Sequence, residues 1–527
     1  MKKPQFIEID HKQLAALQQR CESRALDEDD YELVLTLIAA LKNIKIELEK
    51  KRISINRLRR LFHIQTETSR NILDADEGKK IAAANVYGEK GKKGHGRNKS
   101  ESYTGAQKVT LTHEHLTYGC SCPECRKGKL YKSLAAGVFL RVKANSPFVA
   151  EMFEQEKLRC NLCGQIFTVP LPEGIVKEKY DESVGSMIGL FRYGAGFPHN
   201  RIAILQKGFG IPLPSTTQWD LIEKAVNKIS PIWEQLVKTA AQGEIIHNDD
   251  TNMKILSVMK ANAEAGQNAE RTGIFTTGII AKTTAATIVL YFTGRRHAGE
   301  NMAELLKNRL PSLTPPIQMC DALDRNLPKE FETLLANCLA HGRRKFVEVY
   351  ENFPQECKYV IELLGHVYHN DAITKREKMS AEQRLVYHQI HSGPLMNELK
   401  AWIKGKIEQK EVEPNSSLGG AFQYMLNHWQ PLTLFLRVAG APLDNNVVER
   451  ALKKAIQHRK NSLFYKTEHG AWVGDVFMSL IETCRLSGVN AFEYLTILQR
   501  NWKAVRDDPV SWLPWNYWKS MPIPEKN

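Results

Sequence analysis

The sequence predicts a multidomain protein. An α/β core broken by a helical insertion follows an N-terminal coiled-coil helix and a zinc-ribbon-like domain. Three observations carry this reading. Residues 245–293 hold three β-rich runs, Ile245–Asp249, Thr272–Ala281 and Thr287–Thr293, before a helical stretch and a further short apolar run. From Val34 onward, apolar residues recur in heptads. Two CxxC pairs, Cys122/Cys125 and Cys160/Cys163, offer four thiols at metal-ligand spacing.

At 527 residues the chain has room for about three or four domains. Its 43% hydrophobic and 25% charged residues are those of an ordinary globular protein. No apolar run approaches the roughly 20 residues a membrane span needs, and the N-terminus lacks an apolar signal core. The expected location is therefore the cytoplasm. The net charge of +14 suits a polyanionic partner such as nucleic acid. Ten cysteines in a chain of this length, four of them paired as CxxC, point to metal binding in preference to a disulfide framework.

Residues 1–75 read as helical. Val34, Leu41, Leu48, Ile55 and Phe62 fall at one heptad position, and Leu37, Ile44, Lys51 and Leu58 at the other. That seam fits a coiled coil, with an amphipathic helix folded onto the chain's own core as the alternative. Residues 76–118 form a basic, glycine-rich linker containing Lys92, Lys93 and Arg97. Such a segment buries too little apolar surface to fold alone, and it serves as a tether or as an arm along phosphates.

Residues 119–170 form the zinc-binding domain, with Leu134–Leu140 and Phe148–Phe153 as its expected strands. Four thiolates make a closed structural zinc site with no position left for water; Cys120 is a fifth thiol nearby. Residues 171–240 are helical. Arg201–Lys207, a turn, and a helix capped by Ser215 have the shape of a helix-turn-helix, for which packing is the commoner use. The core begins at 241 and runs to 350, with a helix His297–Leu310, a strand Ile317–Asp321 and a helix around Lys329–Ala336. Residues 351–435 are the helical insertion, 436–486 return to the core, and 487–527 form a tryptophan-bearing tail that docks on it.

The chemistry lies at three places. Two short apolar runs end in aspartates, Asp249 and Asp321. Asp444 is placed to cap a helix in which Val448, Ala451, Leu452, Ala455 and Ile456 form an apolar stripe. Glu449 sits beside that stripe, among Arg450, Lys453, Lys454, Arg459 and Lys460. Two strand-end aspartates and a helical glutamate can hold two divalent ions about 4 Å apart for phosphoryl transfer. The plain alternative is a surface helix with a Glu449–Lys453 pair.

The segments Asp444-Asn-Asn-Val-Val-Glu-Arg450, Arg459-Lys460-Asn461, Cys338-Leu-Ala-His-Gly-Arg-Arg-Lys-Phe346 and the two aspartate runs together resemble the insertion sequence 66 family of DDE transposases, over nearly the whole chain. The resemblance implies a ribonuclease H-like core with Asp249, Asp321 and Glu449 as catalytic acids. It implies two Mg2+ or Mn2+ ions held by those acids, beside the one structural Zn2+ that the CxxC spacing predicts. It also implies cleavage of element ends and joining to target DNA. The family has Asp-Glu-Thr where this chain has Asp249-Asp250-Thr251, so Asp249 is the match and Asp250 its neighbour. Lys92, Lys93, Arg97, Arg450, Lys453, Arg459 and Lys460 are the candidate DNA contacts, with Gly94-His-Gly-Arg97 matching the family's basic stretch. A homo-oligomer, small accessory proteins of the same element and association with the nucleoid are further implications. A metal-dependent nuclease and a catalytically dead DNA-binding protein remain the competing readings.

Overall fold

The computed structural model describes residues 178–266 and 271–520 without a break, and separate positions from 17 to 34 and from 115 to 172. The heptad residues beyond Val34, the basic linker, and Cys122, Cys125 and Cys160 lie outside the described residues. Residues 1–84 and 85–527 are separate units. In the first unit, Arg20 grips the buried Asp30 with two bonds of 2.7 and 2.8 Å.

The second unit opens with a two-stranded antiparallel hairpin, β1 (Lys157–Arg159) and β2 (Ile166–Thr168). Its connection contains Cys160 and Cys163. The loop containing Cys122 and Cys125 is closed in the same way, by a Ser121–Lys129 bridge and two bonds between Leu130 and Gly119–Cys120. Phe148–Phe153 is not a strand, contrary to the expectation from its apolar run. Phe148 is buried against the ring of Phe191, 6.3 Å away.

Helices α1 (Glu182–Gly189), α2 (His199–Gly208) and α3 (Ser215–Ala240) follow. Asp181 caps α1. Ser215, expected as the cap of α3, is instead its first helical residue. The carbonyl of Pro214 already accepts the N–H of Gln218 at 3.0 Å, so the helix starts one residue earlier. The apolar face of α3, from Ile222 through Ile229 and Ile232 to Leu236, is wholly buried.

The central sheet has five strands in the order β5-β4-β3-β6-β7. β3 (Ile245–Asn252), β4 (Phe275–Lys282) and β5 (Thr287–Gly294) form an antiparallel meander; α4 (Leu256–Ala265) leaves the end of β3. After α5 (Ala298–Leu306), β6 (Ile317–Cys320) and β7 (Leu334–Asn337) add on the other side of β3, both parallel to it. β7 replaces the helix expected around 329–336. Leu-Leu-Ala has helical propensity, but the backbone of these four residues is claimed by the β6 ladder, and tertiary pairing overrides propensity.

α6 (Leu339–Val349) leads into the helical stretch expected after 350: α7 (Pro354–Arg376), α8 (Ala381–His391), α9 (Gly393–Glu408), α10 (Ser417–Asn427) and α11 (Trp429–Leu432). The chain then returns to the sheet with α12 (Asn446–Ser462) and α13 (Glu468–Leu486). α14 (Ala491–Arg500) and α15 (Trp502–Asp507) begin the tail, which docks through buried Trp512 and Leu513.

Helix α13 closes the outer edge of the sheet. Asp475, Ser479 and Thr483 stand one helical turn apart. They accept the N–H groups of Thr293, Tyr291 and Val289 of β5 at 2.6, 3.0 and 3.0 Å. Four helical residues rise about 6 Å and two strand residues about 6.7 Å, so the two repeats stay in step over three rungs. An edge strand's open donors are thereby satisfied by side chains.

Candidate active site

β3 divides the site by its two-residue alternation. His247 and Asp249 face α12; Asn248 and Asp250 face α5. β3 runs three residues beyond Asp249, so this aspartate is not at the strand's end as its apolar run suggests. It does lie just past the parallel ladder, where β6 pairs with Ile245–His247 only. The register His247↔Met319, carried two residues on, brings Asp249 abreast of Asp321. Asp321 follows the last residue of β6 and accepts hydrogen bonds from Asn326 Nδ2 and from the Leu323 N–H at 3.3 Å. Asp324, by contrast, is exposed in the following turn.

Glu449 arrives on α12. The cap of this helix is Asn445, one residue later than expected, because its carbonyl accepts the first helical N–H groups, those of Val448 and Glu449. Asp444 accepts the Asn446 N–H at 3.1 Å, as its carboxylate suggested. The Asn445 side chain is turned inward. It meets His247 Nδ1 at 3.0 Å and donates to the Asn248 carbonyl at 3.1 Å, while its N–H points at Cys338 Sγ at 3.2 Å. At the other end of the helix, Arg459 donates to Thr251 Oγ1 and to the Asn252 carbonyl. Both ends of the glutamate-bearing helix are thus fastened to β3.

Between those ends, Gly278 of β4 lets α12 lie on the sheet. Gly278 is the ladder partner of Asp249. A Cβ there would stand 3.0 Å from Leu452 Cδ2 and 3.2 Å from Val448 Cγ2. The stripe expected from the sequence is the buried face, with Val448, Ala451, Leu452 and Ala455 inside and Ile456 half-buried.

The electrostatics are those of uncompensated negative charge. Burial, then the carboxylates of Asp321, Asp250 and Glu449, push the Asp249 carboxyl up to about 7. Its own oxygen accepts the Asp250 N–H at 2.8 Å. Glu449 Oε1 is buried without a hydrogen-bond partner, and His341 Nε2 stands 3.8 Å from it. Burial and the neighbouring Arg344 hold the His341 imidazole below its usual pKa, which favours the neutral ring. Cys338, His341 and Glu449 offer ligand atoms that all lie within 4.8 Å of one another. The sequence marked the Cys338–His341 segment without a role; its closeness to Glu449 depends on β7, the strand the sequence did not show.

The opposite face of β3 is compensated. Asp250 is 2% exposed, with His297 Nδ1 at 3.0 Å and Arg325 at 3.3 Å. A pocket of about 520 Å3 opens beside Arg325, between α5 and the turn after β6. Its acids and bases pair across it: Arg271 with Glu300, and Arg296 and Lys307 with Glu304.

The other candidate residues stand apart from this cluster. Arg450, Lys453 and Lys460 are exposed on α12. Lys454 donates to the Gly194 carbonyl. Cys163 is exposed and free of any disulfide. Lys92, Lys93 and Arg97 fall outside the described residues, as do the other three knuckle cysteines.

Fold and site define an α/β protein with a mixed sheet and an acidic, cation-poor centre beneath a sheet-bound helix. The family model described as Transposase IS66 family matches residues 177–472, from α1 into α13, and the chain belongs to that family. DDE transposases as a class bind DNA and cut or join it using divalent metals. Three Sinorhizobium fredii (strain NBRC 101917 / NGR234) proteins are similar to parts of the chain. The protein y4jD is 34% identical over 35% of this chain and 36% of its own length. The protein y4hP is 26% identical over 69% of this chain and 67% of its own. The protein y4qI is 28% identical over 35% and 34%. The chain thus spans about a third of the length of two of these relatives and two thirds of the other. No solved structure matches. Among the described residues, no helix is long and apolar enough to cross a membrane.

Proposed function

We propose that this chain is an active DDE transposase that cleaves the ends of its insertion element and joins them to target DNA. The observation that carries the proposal is the convergence of Asp249, Asp321 and Glu449 in a half-buried centre where, among the described residues, no Lys or Arg pairs with them. The sheet order, a three-strand antiparallel meander continued by two parallel strands, supports a ribonuclease H-like core. The centre fits divalent cations: hard oxygen donors, a raised Asp249 carboxyl and an unpartnered Glu449 oxygen are what Mg2+ or Mn2+ sites require. Bound there, two such ions would polarise the attacking water or 3′-hydroxyl and stabilise the leaving oxygen.

The chain's own part is positioning. Asn326 and the Leu323 N–H orient Asp321, the Asp250 N–H orients Asp249, and Asn445, Gly278 and Arg459 fix the helix that presents Glu449. Arg450, Lys453 and Lys460 on the exposed side of α12 would meet phosphates of bound DNA, with Lys92, Lys93 and Arg97 as a basic arm. Arg459 contributes mainly by holding α12.

Cys122, Cys125, Cys160 and Cys163 would hold one structural zinc; the closure of each CxxC loop by strand pairing supports this. Metal analysis should give about one zinc per chain, lost in the Cys160→Ser/Cys163→Ser double variant. The heptads fit self-association, and the family resemblance adds accessory proteins and a cytoplasmic, nucleoid-associated location.

The test of the central proposal is magnesium-dependent cleavage and joining of element-end DNA by wild type, Asp249→Asn, Asp321→Asn and Glu449→Gln, with Asp324→Asn as the control. Cleavage without strand joining would make the protein a nuclease. Binding without cleavage by wild type would make it a DNA-binding protein only.

A further inference from the structure

The helix that presents Glu449 ends in an unusual turn. Leu463 has φ 70° and ψ −44°, and the Phe464 N–H bonds the Ser462 carbonyl at 2.8 Å. This is a γ-turn of the rare positive-φ kind, with leucine at its apex. The other two non-glycine residues with positive φ among the described residues are lysines, Lys378 and Lys410. Leu463 is 61% exposed and Phe464 39% exposed. Backbone strain at an exposed apolar residue needs a reason, because neither burial nor a side-chain bond repays it.

The turn is held rigidly. Leu463 N–H bonds the Arg459 carbonyl, and Tyr465 N–H bonds the Lys254 carbonyl, both at 2.9 Å. Leu256 N–H bonds the Tyr465 carbonyl at 2.9 Å. The ring of Tyr465 is buried and stacks on His458 at 4.6 Å. Two bulky apolar side chains therefore project from a backbone fixed on both sides. Lys460 and Lys466 are exposed within three residues of the turn, as is Lys254, whose carbonyl accepts the Tyr465 N–H; among the described residues none is paired with a carboxylate. The nearest acid in sequence, Glu468, opens α13.

We propose that Leu463 and Phe464 form a wedge that enters the base stack of bound DNA. This rests on the transposase reading for the identity of the substrate. The exposed lysines on both sides of the turn argue for this occupant: cations beside an apolar tip match phosphates beside an unstacked base step, whereas an apolar protein surface offers them no counter-charge. Leu463 lies 14 residues beyond Glu449, about 21 Å along the helix, or about six base pairs of duplex. The wedge distorts DNA several base pairs from the reacting phosphate and acts on binding, with no part in the chemical step.

A protein with such a wedge favours DNA in which the unstacking has already been done. The test compares full-length protein on a 40-base-pair duplex of mixed sequence and on the same duplex with a central two-base mismatch. Wild type is expected to bind the mismatched duplex about tenfold more tightly. The Leu463→Gly/Phe464→Ser variant should fold normally, since both side chains are exposed and glycine relieves the strain. It should bind both duplexes equally, at the wild-type affinity for perfect DNA. Lys460→Ala should weaken both alike. A wild type with no preference, or a double variant that keeps the preference, overturns the proposal. So does a double variant that changes oligomeric state in sedimentation while its DNA preference is intact, which would assign the patch to a second copy of the chain. A wild type that binds neither duplex overturns the transposase reading and the wedge with it.

Discussion

Asp249 and Asp250 are adjacent in sequence, on opposite faces of one strand, and their surroundings differ in kind. Asp250 is sealed between His297 and Arg325, with a positive or protonatable partner on each side. Asp249 looks into a centre made of two further carboxylates, where burial and like charge push its carboxyl up to about 7. Folding has matched one acid with countercharge and left the other without it. A carboxylate that serves only the fold gains from a cation in the structure; one that must bind a cation from solution cannot have its place already taken. Cation pairing, more than burial, separates the two acids, and the unpaired one is the acid the proposed function needs.

The largest effect should come from the uncompensated face. Asp249→Asn, Asp321→Asn and Glu449→Gln are each expected to lower magnesium-dependent cleavage at least about a thousandfold, with losses far from additive in combination. The thermal midpoint of the metal-free protein should hold or rise, because each change relieves repulsion. Wild-type cleavage by Glu449→Gln would reduce α12 to a surface helix.

Gly278→Ala moves no charge and sharpens the comparison by geometry alone. The new methyl would stand 3.0–3.2 Å from Leu452 and Val448 side-chain carbons, so these side chains must give by a few tenths of an ångström and press on α12. A shift of that size should lower cleavage by about threefold to tenfold while circular dichroism stays native. Unchanged turnover would show that the sheet–helix spacing is not limiting.

Asp475 tests a buried acid that has hydrogen-bond donors and no cation. Burial pushes its carboxyl up to about 7, although Thr293 donates two bonds to it. A folded pKa above the ordinary 3.8 means that the native state binds the proton more tightly. Its contribution is then full below about pH 4 and is lost as pH climbs toward 7. Asp475→Asn should therefore gain on wild type by roughly 3 kcal/mol between pH 4 and pH 7, read by denaturant unfolding at each pH. Parallel profiles would show that the ladder carries no titrating group.

Asp250→Asn should have the smallest effect on chemistry. Losing the buried charge strands Arg325, which is half in solvent, so stability should fall by about 1–2 kcal/mol. Cleavage at permissive temperature should stay within a few-fold of wild type. If Asp250→Asn is dead while Asp249→Asn is active, the two faces have been assigned the wrong way round.

Much of this was legible in the sequence because it is periodic. The α12 stripe, the meander and the assignment of Asp249 and Asp250 to opposite faces follow from repeats of about 3.6 and 2 residues. The partners of those residues were not legible. His297 lies 47 residues from Asp250, and Asn445 lies 198 from His247; only the folded sheet brings them together. β7 was missed because four residues of helical propensity carry no period of their own. Gly278 reads as a weak point in a strand until a helix is seen to lie on it. One missed feature did leave a signal. Asp475, Ser479 and Thr483 form a polar line at four-residue spacing through a largely apolar helix. A line of that kind asks for a row of donors.

That polar line also sets a timetable. β5 leaves the ribosome with its outer N–H groups open, and Asp475, the acceptor for Thr293, lies 182 residues downstream. At about 5–20 residues per second, roughly 10–40 s of synthesis separate the strand from the helix that shields it. During that interval the nascent sheet can recruit a β5 from a neighbouring chain on the same polysome. Chains released before residue 475 would keep that edge permanently open, so truncation in this family's last helices should show first as aggregation and only secondarily as lost activity.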